Sequence, residues 1–221
     1  MAMDKRQIRS RIEEIGIIPA VRIASAEGAR FAAEAVATGG IPIVELTMTV
    51  PGALDIIAEL VRSSPDVIVG AGTILDLETA RACADAGAQF LTSPGLELEL
   101  VEFAHKQDLL VFPGALTPTE VLAAWKAGAD LVKVYPCAEV GGDRYIRALK
   151  GPFPQVPLIA AGGVTQRTAA HFIAAGATAV GIGRDLIPPE AIRLRQADWI
   201  HELAHRFSKI VQNTRSQMDG H

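Results

Sequence analysis

Eight short apolar runs, each followed by a stretch of helical periodicity, predict an α/β protein built as a single-domain (β/α)8 TIM barrel with an extra N-terminal helix. A glycine recurs before every second run, at Gly40, Gly87, Gly128 and Gly176, where it would supply the left-handed residue that ends a helix. The chain has 221 residues, enough for one well-filled core and short for two.

The elements follow in order. Within residues 1–15, the pattern over 4–15 reads as a helix closing the barrel floor. The candidate strands are residues 17–21, 41–47, 67–70, 90–93, 109–113, 131–134, 158–161 and 179–182. The intervening helices open from about Glu27 to about Pro188. Thr117-Pro118-Thr119-Glu120 places a capping Thr, a first-turn Pro and a returning Glu in one box. Asp76 and Ser25 are further N-cap candidates. Trp199, Leu203, Phe207 and Ile210 give the last helix an apolar face, and residues 214–221 read as a frayed tail. An open doubly wound sheet is the structural alternative. Gly181-Ile182-Gly183-Arg184-Asp185-Leu186 lacks the last glycine of a dinucleotide fingerprint and follows the last strand, not the first.

Composition narrows the function classes. Hydrophobic residues make up 49% and aromatics 5%, with 20 Gly and 13 Pro. The formal charge is −4 and no basic cluster stands out, which argues against a nucleic-acid partner. No run of about 18 apolar residues suggests a membrane span, and residues 1–11 lack the apolar stretch of a signal peptide. Cys83 and Cys137 fit free thiols in a reducing compartment. The expectation is a soluble, cytoplasmic protein.

In such a barrel the chemistry lies at the C-terminal ends of the strands. Two strands carry a charge inside an apolar run: Leu131-Val132-Lys133-Val134 and Ile43-Val44-Glu45-Leu46. A buried amine is driven toward its neutral, nucleophilic form, and a buried carboxyl toward its protonated form. Together they supply the nucleophile and the acid/base group of a Schiff-base enzyme. On pattern alone, Lys133 lying outward between helices and Glu45 pairing locally is an equally good reading.

The ordered segments Val44-Glu45-Leu46-Thr47, Gly70-Ala71-Gly72-Thr73, Ser93-Pro94-Gly95, Lys133-Val134-Tyr135-Pro136, Gly151-Pro152-Phe153-Pro154 and Gly162-Gly163-Val164 resemble those of the 2-keto-3-deoxy-6-phosphogluconate (KDPG) / 4-hydroxy-2-oxoglutarate (KHG) aldolases. The resemblance implies that Lys133 forms a Schiff base with a 2-keto acid and Glu45 shuttles protons. It implies that Thr73, Pro94 and Tyr135 (usually Phe in the family) line the pyruvate end. It also implies a homotrimer, and an imine mechanism that uses no metal and no cofactor.

Three departures concern the substrate. Thr49 stands where many members carry an arginine for the substrate carboxylate; others have Thr-Val-Pro there and an arginine after the first strand, which Arg22 matches. Arg22 could equally be a solvated charge at a strand end. Ala161 replaces a common threonine, removing one hydrogen bond to substrate. Arg184 replaces a serine that helps to hold phosphate. Gly162, Gly163 and Gly183, with Arg184, follow strands seven and eight, the usual phosphate site of barrels.

His201-Glu202-Leu203-Ala204-His205 matches a zinc-protease string, but no convincing third ligand follows; Asp219 and His221 are the only later candidates. Solvent-facing histidines are expected. Cys137 has no nearby histidine and is expected to be an inert thiol. The leading function is cleavage of KDPG to pyruvate and glyceraldehyde 3-phosphate. Alternatives are KHG or the galactonate epimer as substrate, a phosphosugar isomerase or epimerase, and a non-catalytic sugar-phosphate-binding barrel.

Overall fold

The computed structural model describes residues 3–220, the side chain of Asp219 excepted; Met1, Ala2 and His221 lie outside the described residues. The first helix, α1 (Lys5–Ile15), is opened by Asp4, whose carboxylate accepts from Gln7 N. Strands and helices then alternate: β1 (Ile17–Val21), α2 (Ala26–Thr38), β2 (Ile43–Thr47), α3 (Ala53–Ser63), β3 (Ile68–Gly72), α4 (Leu77–Asp85), β4 (Phe90–Thr92) and α5 (Leu98–Lys106). The second half comprises β5 (Leu110–Phe112), β6 (Gly114–Ala115), α6 (Pro118–Lys126), β7 (Val132–Val134), α7 (Asp143–Lys150), β8 (Leu158–Ala161), α8 (Ala169–Ala174), β9 (Ala179–Ile182), α9 (Pro189–Arg193) and α10 (Ala197–Asp219).

All strand pairs are parallel, in the order β5-β4-β3-β2-β1-β9-β8-β7-β6. The two ends of that order are one stretch of chain, so the sheet wraps into a barrel of eight staves. Its fifth stave is β5 plus β6, divided at Pro113. Proline has no N–H for the ladder, yet its carbonyl accepts from Lys133 N at 2.9 Å and Val111 O accepts from Asp130 N at 3.1 Å. The predicted (β/α)8 architecture is therefore present, with the fifth strand reaching Ala115.

Local signals explain the helix starts. Ser25 accepts from Gly28 N, Asp76 from Thr79 N, and Thr117 from Glu120 N. Glu120 returns by accepting from Thr117 N at 2.7 Å and Leu116 N at 2.8 Å. All four repeated glycines adopt positive φ, from +93° to +100°.

Two expectations about the C-terminal helix need correction. The buried stripe of α10 is Ile200, Leu203, Ala204, Phe207 and Val211, while Trp199 is 41% exposed. The stripe follows helical spacing from position 200, which turns Trp199 off the core face. Nor does the helix fray after about Asn213: it continues through Asp219. Thr214 within it is buried, and the Arg215 guanidinium donates to the carbonyls of Glu14 and Thr178. Among the described residues no helix is long and apolar enough to cross a membrane.

The Thr117–Glu120 box yields a stability prediction. Thr117→Ala should lower the free energy of unfolding by about 1 kcal/mol, seen as an earlier denaturant midpoint with an unchanged slope. The backbone N–H groups of Thr117 and Leu116 hold the Glu120 carboxyl below its ordinary range. Its contribution is therefore complete at neutral pH and is lost as acid protonates the folded carboxylate. Alanine keeps both N–H donors, so parent and variant should lose this contribution alike and the gap between them should persist in acid.

The core also shields both thiols. Burial, followed by the charge of Asp76, pushes Cys83 up to about 11; burial, followed by the charge of Asp143, pushes Cys137 up to about 12. Iodoacetamide at pH 8 should alkylate neither thiol in the native protein over minutes, and both in denaturant, as read by intact mass.

Candidate active site

Side chains alternate along each stave, so residues spaced by two share the barrel interior. Glu45 on β2 points inward and is 4% exposed. Room for its carboxylate exists only because the neighbouring stave carries Gly72. A Cβ built there would lie 2.2 Å from Glu45 Oε1. Lys133 enters from β7, and its Nζ stands 3.7 Å from Glu45 Oε1. Both side chains are largely buried, at 14% and 5% exposure. The outward reading of Lys133 is thereby overturned. The same Nζ donates to Thr92 Oγ1 at 3.3 Å and lies 5.8 Å from the centre of the Tyr135 ring.

These groups open into a cleft of about 790 Å³ at the C-terminal end of the barrel. Arg22 lines it from the end of β1, and its guanidinium donates to Thr73 Oγ1 at 3.3 Å. Thr73 follows β3 with φ of +61°. That is a costly conformation for a β-branched residue, of the kind that functional loops retain. Thr73 thus reaches the site through Arg22, although it does not itself line the cleft.

Pro94 and Thr49 are placed differently. Pro94 packs behind the wall, where a Cβ on Gly114 would come within 2.1 Å of the Pro94 carbonyl oxygen. Thr49 is exposed on the turn after β2 and its hydroxyl is paired with Thr47 at 2.8 Å. Neither lines the cleft.

The turns after β8 and β9, next to β1 around the barrel, build a further part of the cleft. Gly162, Gly163, Gly183 and Arg184 all line it, beside Ala161. Gly162 and Gly163 have φ of +86° and +80°, and added Cβ atoms would meet Pro136 Cα at 3.0 Å and Ala138 Cβ at 2.4 Å. Both the backbone angle and the space therefore require glycine. Asp185 Oδ2 accepts from Gln166 N at 2.7 Å, tying the two turns together. Arg184 is exposed and makes no hydrogen bond or ion pair with another described residue. Its guanidinium is thus available to an anion.

Sequence reasoning missed Thr92, Thr165 and Asp185. Thr92 shares the inward face with Phe90 by simple alternation, a signal hidden beside the more conspicuous Ser93-Pro94-Gly95. Thr165 and Asp185 belong to turns whose shape no periodicity reveals. Among the described residues the His201–His205 string gathers no ligand set; the later candidates, the Asp219 side chain and His221, lie outside them. His201 is hydrogen-bonded to Thr38, Glu202 pairs with Arg206, and Leu203 is buried. Among the described residues no three His, Cys, Asp or Glu side chains are grouped to hold a metal ion.

Known proteins carry the same pattern. Residues 8–203 match the family described as KDPG and KHG aldolase. The 2-dehydro-3-deoxy-phosphogluconate aldolase of Treponema pallidum is 30% identical over 200 residues, covering 90% of this chain and 95% of the relative. The KHG/KDPG aldolase of Escherichia coli strain K12 is 30% identical over 188 residues, covering 85% and 88%. The solved KDPG aldolase of Legionella pneumophila, with pyruvate captured as a covalent carbinolamine, superposes with a TM-score of 0.83 at 30% identity over 90% of this chain and 96% of that one. With the family matched over most of its length and the barrel alike, this chain belongs to the KDPG and KHG aldolase family and is an aldolase, a lyase.

Proposed function

We propose that this aldolase is a class I enzyme cleaving 2-keto-3-deoxy-6-phosphogluconate to pyruvate and glyceraldehyde 3-phosphate, with Lys133 as nucleophile and Glu45 as acid/base. The observation that carries the reading is the buried approach of Lys133 Nζ to Glu45 Oε1, 3.7 Å apart at the base of the cleft. The neutral amine attacks C2 of the keto acid, and loss of water leaves a protonated imine. Cleavage of the C3–C4 bond sends its electron pair into that imine, giving an enamine. The C4 hydroxyl proton passes to Glu45 through a water as the aldehyde forms. Protonation at C3 and hydrolysis then release pyruvate and the free amine.

Arg22, held by Thr73, is assigned to the substrate carboxylate, and Tyr135 to the face of the pyruvyl group. Gly162, Gly163, Gly183 and Arg184 are assigned to the phosphate. Backbone N–H groups and a guanidinium at the end of a barrel suit that anion. Pro94 and Thr49 support the wall and the turn, where they stand behind or beside the cleft.

Incubation with pyruvate and borohydride should add one reduced pyruvyl group to Lys133, located by peptide mass. Lys133→Ala should trap nothing. Glu45→Gln should still bind pyruvate, but turn over about 100-fold or more slowly. Absence of an adduct in the parent chain would reject the imine mechanism and favour an isomerase or a binding protein.

Substrate choice is tested at Arg184. With Arg184 on the phosphate, Arg184→Ser should reduce the preference for phosphorylated over unphosphorylated 2-keto-3-deoxy acid by about tenfold in kcat/KM. A stronger preference in the variant would show that Arg184 does not hold the phosphate. KHG and the galactonate epimer, assayed alongside, rank the remaining substrates.

A further inference from the structure

Thr92 is 1% exposed, lies on the floor of the cleft, and has no role in the steps above. Its hydroxyl has one hydrogen-bond partner among the described residues, Lys133 Nζ at 3.3 Å. A buried hydroxyl that served only packing would be a liability, since valine fills the same space without a polar group to desolvate. The β-branched side chain has few rotamers open to it on a strand, so its oxygen is held in place. Thr92, Glu45 and Lys133 come from the fourth, second and sixth staves, the alternate-strand arrangement that brings side chains into one layer of a barrel.

A neutral amine has two N–H bonds and one lone pair. Thr92 accepts one N–H, and the Glu45 carboxylate, 3.7 Å away on another stave, faces the amine from a second side; with the N–H bonds turned to these oxygens the lone pair takes the third direction. We propose that Thr92 is a further catalytic residue: its hydroxyl accepts from Lys133 Nζ and, with Glu45, aims the amine's lone pair at the carbonyl carbon. This role rests on the Schiff-base reading of Lys133.

The test uses the full chain, pyruvate and borohydride, and measures the rate of adduct formation against pyruvate concentration. Thr92→Val should lower the maximal rate about tenfold while the half-saturating pyruvate concentration stays within about twofold. Thr92→Ser should recover most of the rate, and Thr92→Ala, for which packing is less demanding, should behave as Thr92→Val. Trapping by Thr92→Val at the parent rate would overturn the proposal. So would a raised half-saturation with an unchanged maximum, which would make Thr92 a pyruvate-binding group. Thr92→Ser as slow as Thr92→Val would also overturn it, because packing and not the hydroxyl would then matter. If the parent itself traps nothing, the Schiff-base reading fails first and this role with it.

Discussion

The site depends on accommodating one ionisable pair, Lys133 and Glu45, within a ring of otherwise apolar staves. Removing two charges from water costs several kcal/mol each unless they meet each other or further polar groups. Here they face each other across 3.7 Å at the mouth end of the barrel, with Thr92 beside the amine. The arrangement is possible because adjacent staves give way. Gly72 leaves the volume that the Glu45 carboxylate occupies, and Gly70 leaves the volume of the Phe90 ring beneath. The small residues of β3 are thus a consequence of the large ones on β2 and β4.

Barrel closure and the site are coupled in the same way. The fifth stave is interrupted at Pro113, yet the Pro113 carbonyl anchors the backbone of Lys133 itself. Lys133 is thereby held in register with Gly114, on a strand that stays paired along this edge although proline interrupts its neighbour. On the far side, β8 bonds along the other edge of β7, and the turn that follows it presents Gly162 and Gly163. One short strand, bonded on both edges, thus sets Lys133 beside the stave that ends in Gly162 and Gly163.

Charge within the cleft is divided between its rim and its floor. Arg22 and Arg184 are exposed at the ends of the neighbouring staves β1 and β9, while Glu45 and Asp185 sit lower or are engaged with backbone. Two exposed guanidinium groups above a floor that carries Lys133, Glu45 and Thr92 suit an anionic ligand. The reaction type belongs to the residues on the staves and not to the barrel.

By itself the sequence determined the elements and singled out Lys133 and Glu45 as candidates. Alternation of apolar runs with helical periods, cap residues at Ser25, Asp76 and Thr117, and two charges inside strand patterns are local signals, written in neighbouring residues. Lys133 and Glu45 stood out because an ion within a buried run is exceptional, and the closed barrel then turned Lys133 inward. Only the tertiary structure decided which side chains meet. It brought Thr92 to the amine, put Arg22 on Thr73, left Pro94 and Thr49 off the cleft surface, turned Trp199 outward, and carried α10 on to Asp219. Those outcomes depend on stave register, loop shape and contacts between distant segments, as when Arg215 bonds to Glu14 and Thr178. Such distances arise when the barrel closes, and no window along the chain contains them.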